Sequence, residues 1–251
     1  MGKIHVVLKK EDIDQAKISE DKIAVVLDIL LATSTITSAL EFGAEQVIPV
    51  LDQHEAMHVA KTLPEGSYLL SGEYEGRTIE GFLDPNPLQL KKSVKGKTLI
   101  LSTTNGTVAI KRTSEAKQVY VASLLNGHAV AKKLNDYHFD ETIVIVCSGS
   151  SGEFALEDFY GAGYLIDQML SSEPNWELTD SSRAALSFYS GSVNGGEEVL
   201  LSSRVGQMIK KYGFQDEVSF VASEGIFSIV PFVKGQKTVV REEVHHDTNQ
   251  I

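Results

Sequence analysis

Three apolar runs in this chain each stop in a short turn rich in hydroxyl groups or glycine, and each turn opens straight into a segment of helical pattern. They are Ala24-Val25-Val26-Leu27-Asp28 leading to Ala32-Thr33-Ser34-Thr35, Thr98-Leu99-Ile100-Leu101 leading to Ser102-Thr103-Thr104-Asn105-Gly106-Thr107, and Thr142-Ile143-Val144-Ile145-Val146-Cys147 leading to Ser148-Gly149-Ser150-Ser151-Gly152. Continuous β-branched and aliphatic runs are the pattern of strands buried on both faces, and strands alternating with helices imply a parallel sheet flanked by helices. If the three strands are parallel neighbours, their turns gather at the carboxyl ends, where open α/β sheets place ligands. The expectation is therefore an α/β fold with a mostly parallel sheet flanked by helices. It forms one domain over residues 1–251, with room for two closely joined α/β lobes that meet at the site.

The alternation continues along the chain. Strands are expected at residues 4–8, 23–30, 46–50, 67–71, 98–101, 118–121 and 142–147, and helices at 34–42, 52–63, from about 106, at 125–134 and at 155–170. Gly43 is placed to stop the first helix, and Pro64 with Gly66 the second. Between residues 72 and 90, Gly72, Gly76, Gly81, Pro85 and Pro87 break any long regular element, which makes this stretch an excursion over the sheet edge and a candidate wall of the site. Residues 178–212 read as mostly helical, 218–221, 226–232 and 237–240 as closing strands, and 242–251, with His245-His246, as a frayed tail.

A net charge of -11 argues against non-specific binding to nucleic acid or to an anionic membrane, both of which attract clustered Lys and Arg. Cys147 is the only cysteine, so no intrachain disulfide forms and a reducing, cytoplasmic setting is expected. The opening Met1-Gly2-Lys3-Ile4-His5-Val6-Val7-Leu8 runs into Lys9-Lys10-Glu11-Asp12 without the apolar segment of a signal peptide. No run approaches the roughly 18 apolar residues of a membrane span.

Asp28 interrupts the most hydrophobic strand in the chain, where a carboxylate is costly unless it caps the strand end, is paired, or binds a cation. Thr33-Ser34-Thr35 and Thr103-Thr104-Asn105 serve as helix N-caps on one reading; on another, their hydroxyls and neighbouring amides hold an anion. Gly149 and Gly152 let backbone amides approach a ligand. Glu157 and Asp158, in the first turn of the next helix, favour its macrodipole, and beside an anion site they also suit Mg²⁺, a hard cation that keeps waters for a phosphate. Glu73, just after a strand, is a further ligand or base, against the plain alternative of an exposed loop glutamate. His54 and His58 fall on a solvated helix face.

Several mechanisms are excluded by single positions. Leu30 stands where an aspartyl-phosphate hydrolase needs its second Asp, and Glu153 where a cysteine phosphatase built on Cys147 needs Arg. There is no Walker loop, no nucleophile elbow, and no Rossmann context for Gly161-Ala162-Gly163. A metal-activated water is the remaining route to hydrolysis.

Taken together, Asp28-Ile29-Leu30-Leu31-Ala32-Thr33-Ser34-Thr35, Thr103-Thr104-Asn105-Gly106-Thr107 and Cys147-Ser148-Gly149-Ser150-Ser151-Gly152-Glu153-Phe154-Ala155-Leu156-Glu157-Asp158 resemble the 2-phosphosulfolactate phosphatase (ComB) family. The likeness continues through Gly72-Glu73, Gly81-Phe82, Asn86-Pro87, Thr179-Asp180 and Val230-Pro231, so it covers nearly the whole chain. It implies a Mg²⁺-dependent, dimeric phosphatase that releases phosphate from 2-phospho-3-sulfolactate. The alternatives are a relative acting on another small phosphorylated acid, or a metabolite-binding protein that kept the pocket without turnover.

Combined with the chemistry above, the resemblance gives an expected site. Asp28, Glu157 and Asp158 hold Mg²⁺, and Asp28, Glu73 and Asn105 are catalytic. Thr33, Ser34, Thr35, Thr103, Thr104, Gly106, Gly149 and Gly152 hold the substrate. Three departures bear on the substrate. Leu31 stands where the family pattern commonly has Arg, Val108 where it is often basic, and Asp84-Pro85-Asn86-Pro87 is a residue shorter than the usual Gly-Asn-Ser-Pro form. Arg77, Arg183 and Arg204 are the cations available to compensate.

Overall fold

A computed structural model describes residues 1–15, 17–19, 21–171, 175–235 and 237–242. The strands β1 (Lys3–Val7), β2 (Lys22–Leu27), β7 (Gln118–Ala122), β8 (Thr142–Cys147) and β9 (Glu177–Leu178) form one parallel group in the order β7-β2-β8-β1-β9. A second parallel group contains β3 (Gln46–Val50), β4 (Tyr68–Tyr74) and β6 (Thr98–Ser102), in the order β4-β6-β3. The hairpin β10 (Pro231–Lys234) and β11 (Thr238–Arg241) lies between the groups and pairs antiparallel with β7 on one side and β3 on the other. The sheet is thus mostly parallel, but β6 is not a neighbour of β2 or β8.

Helices cover the sheet: α1 (Ala32–Glu41), α2 (Gln53–Ala60), α3 (Pro87–Leu90), α4 (Gly106–Arg112), α5 (Gly127–Tyr137), α6 (Leu156–Leu170), α7 (Asp180–Gly191), α8 (Gly196–Ser202), α9 (Arg204–Lys211) and α10 (Gln215–Val221). None is long and apolar enough to cross a membrane. Alternation along β2 explains why that strand is apolar throughout. Ile23, Val25 and Leu27 face a core shared with α6, whereas Ala24 and Val26 face a second core shared with Leu99 and Leu101 of β6 and Val47 of β3. This second core draws the two parallel groups together although few main-chain pairs join them to the hairpin.

Two expected strands are corrected. Residues 218–221 belong to α10, because Val218 and Val221 are buried at i, i+3 spacing while Asp216 and Glu217 occupy its first turn; a four-residue apolar window is too short to separate the two periods. Of residues 226–232, only the end enters β10. The Gly225 and Phe227 amides bond instead to the carbonyls of Leu124 and Leu125, an irregular docking rather than a ladder. The 23–30 run ends as a strand at Leu27, and the excursion after residue 72 contains the end of β4, the short antiparallel strand β5 (Arg77–Thr78) and α3. His245-His246 and most of the expected tail lie outside the described residues.

Gly163 shows how closely α6 and α7 approach. A Cβ there would collide with the Ala185 carbonyl and lie 2.6 Å from Cβ of Tyr189. Gly163→Ala should lower stability by about 1–3 kcal/mol in urea unfolding, the range for an overpacked interior. An unchanged midpoint would show that α7 moves aside freely.

Candidate functional site

Asp28 follows directly on β2 and is buried. Its backbone is tied into the start of α1: the Asp28 amide donates to Oγ1 of Thr33, and the same hydroxyl and the Thr33 amide donate to the Asp28 carbonyl. The carboxylate is held on the same turn by the Ala32 amide, which donates to Oδ1 at 3.4 Å, and it lines the cavity described below. Oδ2 lies 2.7 Å from the point that a Cβ on Gly106 would occupy, so only glycine at the head of α4 allows the turn after β6 to reach the turn after β2. Burial, and then the charge of Glu73, push the Asp28 pKa up to about 7.

Asp158, in the first turn of α6, places Oδ1 2.8 Å from the Ile29 amide and Oδ2 3.0 Å from the Gly149 amide. It joins the turns after β2 and β8. Burial and the charge of Asp28 raise its pKa, while the two amide donors oppose that rise. Glu157 is also buried, with a raised pKa caused by burial and offset by a hydrogen bond to Ser203 and the charge of Arg204.

Glu73, at the end of β4, holds the turn after β6. Oε1 accepts the Thr104 amide at 2.6 Å, and Oε2 accepts the Thr104 hydroxyl at 3.1 Å and the Gly76 amide at 2.7 Å. Thr103 and Thr107 close the same turn reciprocally, the Thr107 amide donating to Oγ1 of Thr103 and the Thr103 amide to Oγ1 of Thr107, each at 3.2 Å. The carboxamide of Asn105 is fixed by Lys10, whose Nζ donates to its Oδ1 at 2.8 Å and pairs with Glu11 at 2.9 Å.

These elements surround a cavity of about 610 Å³. Asp28, Glu73, Thr103, Thr104 and Asn105 line it, together with Arg77 and Arg204 and an apolar wall that includes Leu31, Met208 and Ile209. Other expected site residues stand behind this surface. The hydroxyls of Thr33, Ser34 and Thr35 donate to the carbonyls of Asp28, Ile29 and Pro85. Gly106 acts through close approach; Gly149 lets the loop pack on Lys9, a Cβ there standing 2.8 Å from that of Lys9, and the Gly152 carbonyl accepts from Nζ of Lys9. Glu157 and Asp158 are absent from the cavity lining, and Nε of Arg183 donates to the Leu178 carbonyl outside it. Among the described residues, no group of three or more His, Cys, Asp or Glu side chains is arranged to hold a metal ion.

Lys10 was not singled out in the sequence. The available signal is its position: Lys9-Lys10 follow β1, which runs parallel to β8, so they occupy the same sheet edge as the turn at residues 148–152.

The family model of 2-phosphosulpholactate phosphatase matches residues 7–236. The chain belongs to that family. Among similar members of the phosphatase family, a probable 2-phosphosulfolactate phosphatase of Clostridium beijerinckii is 37% identical over 237 residues, covering 94% of this chain and 98% of the relative. Another of the same name from Clostridium perfringens is 40% identical over 243 residues, covering 94% and 96%. A third, from Symbiobacterium thermophilum, is 38% identical, covering 86% and 93%.

The raised pKa of Asp28 gives this phosphatase-family member a pH-dependent stability. A carboxyl whose folded pKa lies above its unfolded value stabilises the fold fully below the unfolded pKa of 3.8 and loses that contribution as pH rises through about 7. Asp28→Asn removes the ionisation. With chelator present, the variant should be more stable than the parent at pH 8, and the difference should shrink as pH falls below 7. A difference independent of pH would contradict the assignment.

Proposed function

We propose that the chain hydrolyses 2-phospho-3-sulfolactate to sulfolactate and phosphate with Mg²⁺ as cofactor. The observation that carries the reading is a buried carboxylate, Asp28, facing a cavity shared with Glu73 and the turn at residues 103–105, in a chain whose family and relatives bear this activity in their names. Mg²⁺ is commonly held by one or two carboxylates and completed by waters and substrate phosphate. Asp28 and Glu73 fit that mode, since the charge of Glu73 helps raise the Asp28 pKa and a cation between such groups would favour both ionised forms. When bound, Mg²⁺ supplies Lewis-acid stabilisation for the phosphoryl oxygens.

The chain's own residues do the rest. Lys10, from behind the cavity wall, holds the Asn105 carboxamide in place, and its charge partly offsets that of Asp28. Glu73 fixes Thr104 and the β4–β5 turn together, so the phosphate-facing wall is preorganised. Asp158 sets the backbone on which Asp28 is mounted, without itself reaching the cavity. Water attacks phosphorus and the bond from phosphorus to the lactate C2 oxygen breaks; one of the water's protons ends on that oxygen as the sulfolactate hydroxyl and the other stays with the released hydrogen phosphate.

Purified protein should release phosphate from synthetic 2-phospho-3-sulfolactate with Mg²⁺ and lose that release on chelation. Because a proton and the ion compete for Asp28, the half-saturating Mg²⁺ concentration should rise as pH falls below about 7. Turnover unaffected by chelator would overturn the metal assignment.

A further inference from the structure

The substrate proposed above carries two more anionic groups besides its phosphate, a sulfonate and a carboxylate, and an anion taken from water into a partly buried site needs charged or hydrogen-bonding partners. Lys10 is engaged with Asn105 and Glu11. The cationic side chains that line the cavity among the described residues are Arg77 and Arg204. They come from opposite walls, Arg77 from β5 and Arg204 from the first turn of α9.

The two walls meet. Arg204 and Met208 are four residues apart and lie on one face of α9. The thioether of Met208 lies 3.2 Å from the position of a Cβ on Gly76, the residue before Arg77. Contact across the cavity therefore brings the face of α9 that carries Arg204 against the hairpin that carries Arg77. Arg204 is also anchored: Nη2 donates to the Ser150 carbonyl at 2.6 Å and its charge acts on Glu157, while the five N–H donors of a guanidinium exceed what the Ser150 contact uses. Leu31, in the same cavity, contributes no charge, so the polar end of the substrate opposite the phosphate has these two guanidinium groups to meet.

We propose that Arg77 and Arg204 together form the sulfonate subsite and set the preference for a sulfonated over an unsulfonated phosphoester. The planar N–H fork of arginine matches the oxygens of a sulfonate as it does those of phosphate or carboxylate. This inference rests on the phosphatase reading for its substrate, but its chemistry can be tested apart from turnover.

The test compares the parent with Arg77→Met, Arg204→Met and Arg204→Lys. Two measurements are made: kcat/KM for 2-phospho-3-sulfolactate against 2-phospholactate, which keeps the carboxylate and lacks the sulfonate, and calorimetric binding of sulfolactate against lactate. Each Met variant should reduce the sulfonated-to-unsulfonated ratio by about 10- to 100-fold, the loss of a charge-assisted contact, and weaken sulfolactate binding in parallel. Arg204→Lys should recover part of it. Arg77, on the exposed hairpin, keeps the test independent of any loosening of the loop at Ser150 in the Arg204 variants. Unchanged ratios and unchanged sulfolactate binding in the Met variants would overturn the subsite, as would an equal loss for both substrates. If the parent released no phosphate from either ester yet bound sulfolactate in an arginine-dependent way, the subsite would stand and the phosphatase reading would fall.

Discussion

Both oxygens of the Asp158 carboxylate accept backbone amides, one from each of two neighbouring strand-end turns. The rest of the site depends on this clamp. Ile29 follows Asp28 and Gly149 precedes Ser150, so one side chain fixes the spacing between the carboxylate-bearing turn and the loop that anchors Arg204. The two amide donors and the favourable end of the α6 dipole offset part of the cost of burying this carboxyl, whose pKa nevertheless stays raised. Without it, two buried amides would lose their partner, at roughly 1–3 kcal/mol each.

The neighbourhood of that clamp is acidic. Asp28, Glu157 and Asp158 raise one another's pKa or that of a neighbour, and Glu73 raises that of Asp28, while Lys10 is a buried cation that opposes the rise. An arrangement of this kind costs the protein stability, and on the function proposed above that cost is exchanged for affinity for a cation and its phosphate, the usual trade between stability and function at a site. Lys10 links the two requirements, because the same ammonium partly offsets the charge on Asp28 and holds Asn105.

Much of the fold was legible because long apolar runs leave little choice of period. The strands at 118–121 and 142–147 and the helix at 155–170 lie within a residue or two of β7, β8 and α6. The assignment of β6 to a different parallel group was not legible, since strand order depends on the hairpin at residues 231–241, far away in the chain. The turns after β2, β6 and β8 nevertheless share one region, as their composition suggested, through the approach of Gly106 to Asp28 and the clamp of Asp158. Side-chain roles were harder to read. A threonine that donates to a carbonyl and one that faces a ligand have the same sequence signature, and only geometry separates Thr33, bonded to Asp28, from Thr103 at the cavity wall. Likewise Lys10 looks like part of a solvated charge run until β1 is seen beside β8.

On the function proposed above, separate strand-end turns mount Asp28 as the principal carboxylate of one divalent-cation site. Titration of Mn²⁺ followed by electron paramagnetic resonance counts bound ions directly and without turnover. The account predicts one tightly bound Mn²⁺ per chain in the parent, displaced by Mg²⁺, and none in a folded Asp28→Asn variant. Equal Mn²⁺ binding by the two proteins would contradict it.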